Sequence, residues 1–249
     1  MDADPLIIVL TVTSVAFISS TLTALVGAGG GTGLLLVMLW FVPAASVVPV
    51  HGCIQLVSNT ARVVLFRRHM HWPAIIRFVI PMPAGVYVGL QLHGMMSQAA
   101  LQLVIAGFVL LSLLVRVPDA AAGRGFPSWA YVPVGFLIGG ANVLVGVLSP
   151  ILGAILRFER LDKERMVGTL GFFGFAGNVF KVAGFALVGF SFADYLPMIA
   201  CASVAAILGN VAGRRLLGGI SSAGFARAFR VMLGLLALKL VWDALSGLV

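Results

Sequence analysis

Apolar runs about as long as a bilayer is thick recur from Leu6 almost to Val249. Since about 20 helical residues cross a hydrocarbon core roughly 30 Å deep, such runs account for nearly the whole chain and leave no stretch for a soluble domain. Of the 249 residues 61% are hydrophobic and only 10% charged, against roughly a quarter charged in an ordinary soluble domain. The chain therefore reads as an integral membrane protein. In lipid every backbone polar group must be satisfied internally, which leaves helices or a closed barrel. Barrel strands alternate in segments of about ten residues, and runs such as Ala99–Val115 show no alternation. The expected class is all-α and polytopic.

The 30 glycines and 11 prolines fit that class, because neighbouring membrane helices re-satisfy the backbone groups such residues free. The net charge of +8 does not imply nucleic acid: the cations sit in short clusters between apolar runs and form no continuous face. Cys53 and Cys201 lie inside apolar segments with no partner at metal-ligand spacing and read as packing residues. The start, Met-Asp-Ala-Asp-Pro, lacks the basic region of a signal peptide, so the first apolar run is expected to stay in the mature protein.

Shifting the chain by 119 residues aligns Phe17 with Phe136, Gly27 with Gly146, Gly52 with Gly171, Asn59 with Asn178 and Arg62 with Lys181. A shift of 120 aligns Trp72 with Phe192 and Gly89 with Gly209. A glycine, an asparagine and a cation at one offset point to duplication. The expected units are a first repeat at 1–118, a cytoplasmic linker at 119–127 and a second repeat at 128–249. Each contains a broken, re-entrant hairpin (6–42 and 128–156) and then three transmembrane spans, at 47–66, 72–92 and 99–116, then at 166–188, 194–213 and 225–245.

Basic loops mark the cytoplasmic side. Arg67, Arg68 and His69 follow the first full span of the first half, while the matching loop 189–193 has no cation. Arg157, Arg160, Lys163 and Arg165 precede the first full span of the second half, while the matching loop 42–46 is uncharged. The halves are thus expected to be inverted, with loops 67–71, 116–126, 157–165 and 214–224 inside and both termini outside. Inverted repeats with discontinuous helices are a common transporter architecture whose site lies near the midplane between the repeats.

The first break is Gly27-Ala-Gly-Gly-Gly-Thr-Gly33, and its counterpart is Gly146-Val-Leu-Ser-Pro150. A helix starting inside the bilayer presents free N–H groups that attract anions, and glycine allows close approach. Gly29, Gly30, Gly31, Thr32 and Ser149 are the candidates there. Gly27 and Gly31 also fit a small-xxx-small packing pattern.

The span 47–66 carries His51, Gln55, Ser58, Asn59 and Arg62 at helical spacing, a polar stripe that must face protein or a water-filled path. The matching helix presents Asn178 and Lys181. Each cation lies 15 residues from the start of its span, at Val47 or Met166, about 22 Å along the helix, so the two are expected to flank the midplane. Arg62 is also within reach of lipid headgroups. Lys181 lies on the side whose loops lack cations. His51 is a candidate carrier of a coupling proton or a polar residue near the outer interface. His69 and His71 have no third metal ligand in view, and Lys239 and Asp243 are spaced as a local pair.

The glycine-rich break, the span bearing Asn59 and Arg62, the His-Met-His-Trp turn at 69–72 and the Gly85–Gly89 segment together resemble the TauE/SafE family of sulfite and organosulfonate exporters, from about 12 to 245. The resemblance implies a bacterial inner-membrane carrier for small anions such as sulfite or sulfoacetate, without a cofactor. The second half departs from the pattern, with Leu148-Ser149-Pro150 where the first has Gly29-Gly30-Gly31.

The leading expectation is a secondary transporter of a sulfonate-type anion, with an anion channel or a carrier of another small anion as alternatives. An intramembrane enzyme lacks its requirements: paired aspartates, His-Glu-x-x-His and Gly-x-Ser-x-Gly are all missing. A pure scaffold has no need of the polar stripe.

Overall fold

The computed structural model describes residues 4–26, 30–114, 124–147, 149–159, 161–216 and 222–246. Among these residues there is no strand, and the helices follow the apolar runs. They are α1 (Pro5–Val26), α2 (Gly30–Met38), α3 (Ala44–Leu65), α4 (Trp72–Val79), α5 (Met82–Met95), α6 (Gln98–Leu114), α7 (Tyr131–Val145), α8 (Ser149–Leu156), α9 (Lys163–Leu187), α10 (Leu196–Leu216) and α11 (Ser222–Ser246). The second expected break is present, with α7 ending at Val145 before α8; residues 27–29 of the first lie outside the described residues, between α1 and α2. At about 1.5 Å per residue, the 9-residue α2 and 8-residue α8 are far too short to cross a bilayer.

Four segments are long and apolar enough to span a membrane by themselves: Pro5–Leu25, Ser128–Val145, Lys163–Leu187 and Ala193–Leu216. A fifth arises if α4 and α5, bent by 44°, count as one. The bend falls inside the expected unbroken span 72–92 and has a covalent cause. Pro81 lacks an N–H, and its ring crowds the carbonyl one turn back. The matching α10 carries Pro197 in its first turn, where proline is tolerated, and runs unbroken for 21 residues. The polar stripe lowers the apolarity of α3, 17 residues of α6 are described, and α11 carries Arg227, Arg230, Lys239 and Asp243.

Glycine sets the closest helix contacts. α1 and α10 run parallel, with Gly209 against Phe17 and Ser20 and Gly213 against Thr21 and Ala24. α5 and α7 run parallel in the same manner, with Gly85 on the Phe136 carbonyl and Gly89 on Gly140. α3 and α9 run antiparallel: Gly52 meets Lys181, Asn59 meets Gly174, Arg62 meets Gly171, and Phe66 meets Gly168. A side chain at most of these glycines would overlap backbone, so the pairs approach more closely than larger residues allow.

Two apolar clusters flank the centre. One gathers Leu34, Leu35 and Met38 of α2 with Ile54, Ile105 and Ala206; the other gathers Leu152 and Leu156 of α8 with Ile75, Phe78 and Phe173. Each short helix is thus seated in its own core. Buried Asn210 ties three long helices together: its amide nitrogen donates to Ser58 Oγ at 2.8 Å, and Ser58 Oγ lies 3.2 Å from Ser20 Oγ.

Candidate functional site

The polar stripe of α3 turns inward. Residues three and four apart share a helix face, and His51, Gln55, Asn59 and Arg62 are all buried. Gly171 and Gly174 of α9 make room for them. A Cβ at Gly171 would fall 3.1 Å from Arg62 Cβ, and one at Gly174 would fall 2.5 Å from Asn59 Nδ2. Across the seam the relation is reciprocal, because a Cβ at Gly52 would fall 2.8 Å from Lys181 Cε. The offset that pairs Gly52 with Gly171 also pairs Arg62 with Lys181, and each cation rests on the other segment's glycine.

Between α3, α7 and α9 lies a cavity of about 50 Å³. At about 10–15 Å³ for each water centre, it holds a few waters or one small oxyanion. Gly31, His51, Gln55, Asn59, Arg62 and Asn178 line it, and so do Thr23, Asn142 and Gly146. The apolar wall is Met82, Ile138, Leu152, Leu170 and Phe173.

The other residues singled out in the sequence lie around this cavity. Gly29 is outside the described residues. Gly30 presses on the Ser19 carbonyl and Thr23 of α1, which makes it a contact between α1 and α2. Thr32 is buried, off the cavity wall. Ser149 is the first residue of α8. Lys181, 0% exposed, stands one layer behind: its Nζ donates to the Gly146 carbonyl at 3.1 Å and to Asn142 Oδ1 at 3.4 Å.

Thr23 and Asn142 escaped the sequence reading, although they are also 119 apart. One is a threonine and the other an asparagine, so the alignment shows no identity. Both were discoverable as polar residues one helical turn before the aligned glycines Gly27 and Gly146.

The electrostatics are unbalanced. Arg62 is 4% exposed, and its Nη2 donates to Asn59 Oδ1. Among the described residues its Nε and Nη1 have no hydrogen-bond partner. The ion pairs among the described residues are His69–Glu164, His71–Glu159 and Lys239–Asp243, and none involves Arg62 or Lys181. An unpaired buried cation costs several kcal/mol, so the arrangement is complementary to an anion. His51 Nε2 lies 3.0 Å from the Gly31 carbonyl, while Nδ1 is buried with no partner among the described residues. Asn178 Nδ2 donates to the Gly174 carbonyl at 2.7 Å, and its Oδ1 has no partner among them. No three His, Cys, Asp or Glu side chains among the described residues gather to hold a metal ion.

Apolar helices of membrane length around a buried, cation-walled cavity define a membrane transport protein. The family described as Sulfite exporter TauE/SafE matches residues 12–240, nearly the whole chain, and the chain belongs to that family. No curated protein and no solved structure matches it.

Proposed function

We propose that the chain is a secondary transporter of the bacterial inner membrane that exports a small sulfur oxyanion or organosulfonate such as sulfite or sulfoacetate. The observation that carries this reading is the pair of buried cations, Arg62 and Lys181, with no acid paired to either among the described residues. A unit anion 4 Å from a cation gains about 4 kcal/mol at the effective dielectric of protein sites. The anion supplies the compensation that the protein withholds.

The substrate occupies the cavity between two inverted repeats, 1–118 and 128–249, joined by the linker 119–127. Three features support the inversion: the matching helices α3 and α9 are antiparallel, the cations and glycines cross-pack reciprocally, and α1 packs on α10 as α7 packs on α5. In this arrangement α1–α2 and α7–α8 are re-entrant hairpins, and α3, α6 and α11 complete the spans. Gly30, Gly31, Thr32 and Ser149 offer helix-start N–H groups. Gln55, Asn59, Arg62 and Asn178 contact the anion, and Lys181 adds its charge from behind Asn142.

Both termini are outside in this topology. In a chain whose native cysteines are replaced by serine, a cysteine at exposed Met95 is expected to react with a membrane-impermeant maleimide added to intact cells, and one at Arg68 is not. Labelling at Arg68 with protection at Met95 would reverse the orientation.

Counterflow tests the transport reading. Proteoliposomes loaded with sulfite are expected to accumulate labelled sulfite transiently and saturably, which a channel does not do. Asn178→Ala is expected to raise the half-saturating concentration about tenfold, the equivalent of one hydrogen bond to a charged group. His51→Gln is expected to keep counterflow and lose the response to an imposed pH gradient, as the role of proton carrier requires. Wild-type saturation in Asn178→Ala would remove that residue from the site.

A further inference from the structure

A second cleft, about 470 Å³, lies where α3 and α10 end, and Val64, Leu65, Arg67, Arg68, His69 and Arg214 surround it. It does not open toward the transport cavity. Val64 follows Arg62 by two residues, about 200° around the helix, and Arg62 faces α9. Val64 is 60% exposed, and in the topology proposed above this end of α3 meets the lipid boundary. Leu65, the last residue of α3, lines the cleft beside Val64. The cleft is therefore apolar on its membrane side and basic above.

Its cations are positioned and uncommitted. The Arg214 guanidinium stands 5.6 Å from the Phe66 ring centroid, a cation–π contact that holds it over the cleft. His69 is paired with Glu164 at 2.9 Å, but Arg67, Arg68 and Arg214 have no ion pair among the described residues. The tendency of cytoplasmic loops to be basic accounts for the presence of arginine. It does not account for Arg214 at the end of α10 and Arg67 and Arg68 in the turn after α3, far apart in sequence, lining one cleft with an apolar sill.

We propose that this cleft binds an anionic glycerophospholipid, the headgroup phosphate held by Arg67, Arg68 and Arg214 and an acyl chain lying along Val64 and Leu65. Guanidinium forks match phosphate oxygens in a bidentate manner, and basic pockets at helix ends beside the bilayer suit anionic headgroups. Free phosphate shares the charge chemistry and makes no use of the sill.

The test reconstitutes the full chain in vesicles of equal phosphatidylglycerol and phosphatidylcholine, extracts it gently and identifies retained lipid by native mass spectrometry. Phosphatidylglycerol is expected to be enriched over phosphatidylcholine, by about fivefold for each arginine engaged. The enrichment is expected to vanish in the triple variant R67Q/R68Q/R214Q and to persist in R124Q, which alters a cation elsewhere. If the triple variant fails to fold, R68Q alone, at an exposed position, is expected to lose about fivefold. Equal retention of both lipids, undiminished enrichment in the glutamine variants, or complete displacement by millimolar inorganic phosphate would overturn the proposal, the last by making the cleft a free-anion site.

Discussion

Arg62→Gln is expected to reduce sulfite counterflow by two to three orders of magnitude while the protein still inserts and purifies. The guanidinium is buried on the cavity wall, and its protein partner among the described hydrogen bonds is the Asn59 amide. Removing the protein's half of a buried charge pair costs about 3–5 kcal/mol of binding. Glutamine retains a donor and much of the volume, so the loss reads out charge. Without substrate the sign for stability is opposite, since an uncompensated buried charge disappears: thermal unfolding of the substrate-free variant is expected at or above the wild-type midpoint. An arginine that merely reached for lipid headgroups or braced α3 would show near-normal counterflow, or a loss of transport together with a loss of stability. Either result would remove Arg62 from the anion site.

Gly85→Val is expected to be the most damaging conservative-looking change outside the cavity. A Cβ at Gly85 would sit on the Phe136 carbonyl oxygen, and would lie 2.8 Å from the carbonyl carbon and 3.0 Å from Gly140 N. These are backbone atoms, with no rotamer to move aside. α5 and α7 must separate, and Gly89, Gly135 and Gly139 lose their close contacts along the same seam. Overpacking costs about 1–3 kcal/mol where side chains can adjust, and a β-branched residue against backbone lies at or beyond the upper end. At about 2–4 °C per kcal/mol for a chain of this size, the melting midpoint should fall by about 10 °C. Gly94→Val is the control, because nothing lies within 4 Å of its added Cβ. Equal midpoints for the two variants would mean that the seam yields more readily than its geometry allows.

Much of the helical layout was legible in the sequence, because lipid solvation imposes a length and a composition that few other environments require. α3 and α9 begin and end, and α6 begins, within a few residues of the runs that define them, and the break between α7 and α8 falls at the Gly146–Pro150 cluster. The bend between α4 and α5 was less visible: Pro81 lies inside an otherwise continuous apolar run, and proline in a membrane helix kinks it to an extent set by its neighbours. Of the site, the buried stripe on α3 was legible because a polar face in hydrocarbon has nowhere else to go. Thr23 and Asn142 were visible only through their shared offset, one turn before the aligned glycines, since single polar residues on apolar helices have no periodic signature; Asn210, which braces the helices around the site, lacked even that. The place of Lys181 behind the wall likewise depends on the register of α9 against α3 and α7, which spacing along one helix does not contain.

Gly146 joins two functions at one residue. With φ +77 it is the left-handed cap that ends α7, a conformation that strains any larger residue, and its carbonyl also receives the Lys181 ammonium. The break after α7 is thereby tethered to the middle of a long helix. If α7 and α8 shift at this break, the charge on α9 must either travel with them or let go, so mechanical movement and electrical balance share a single joint.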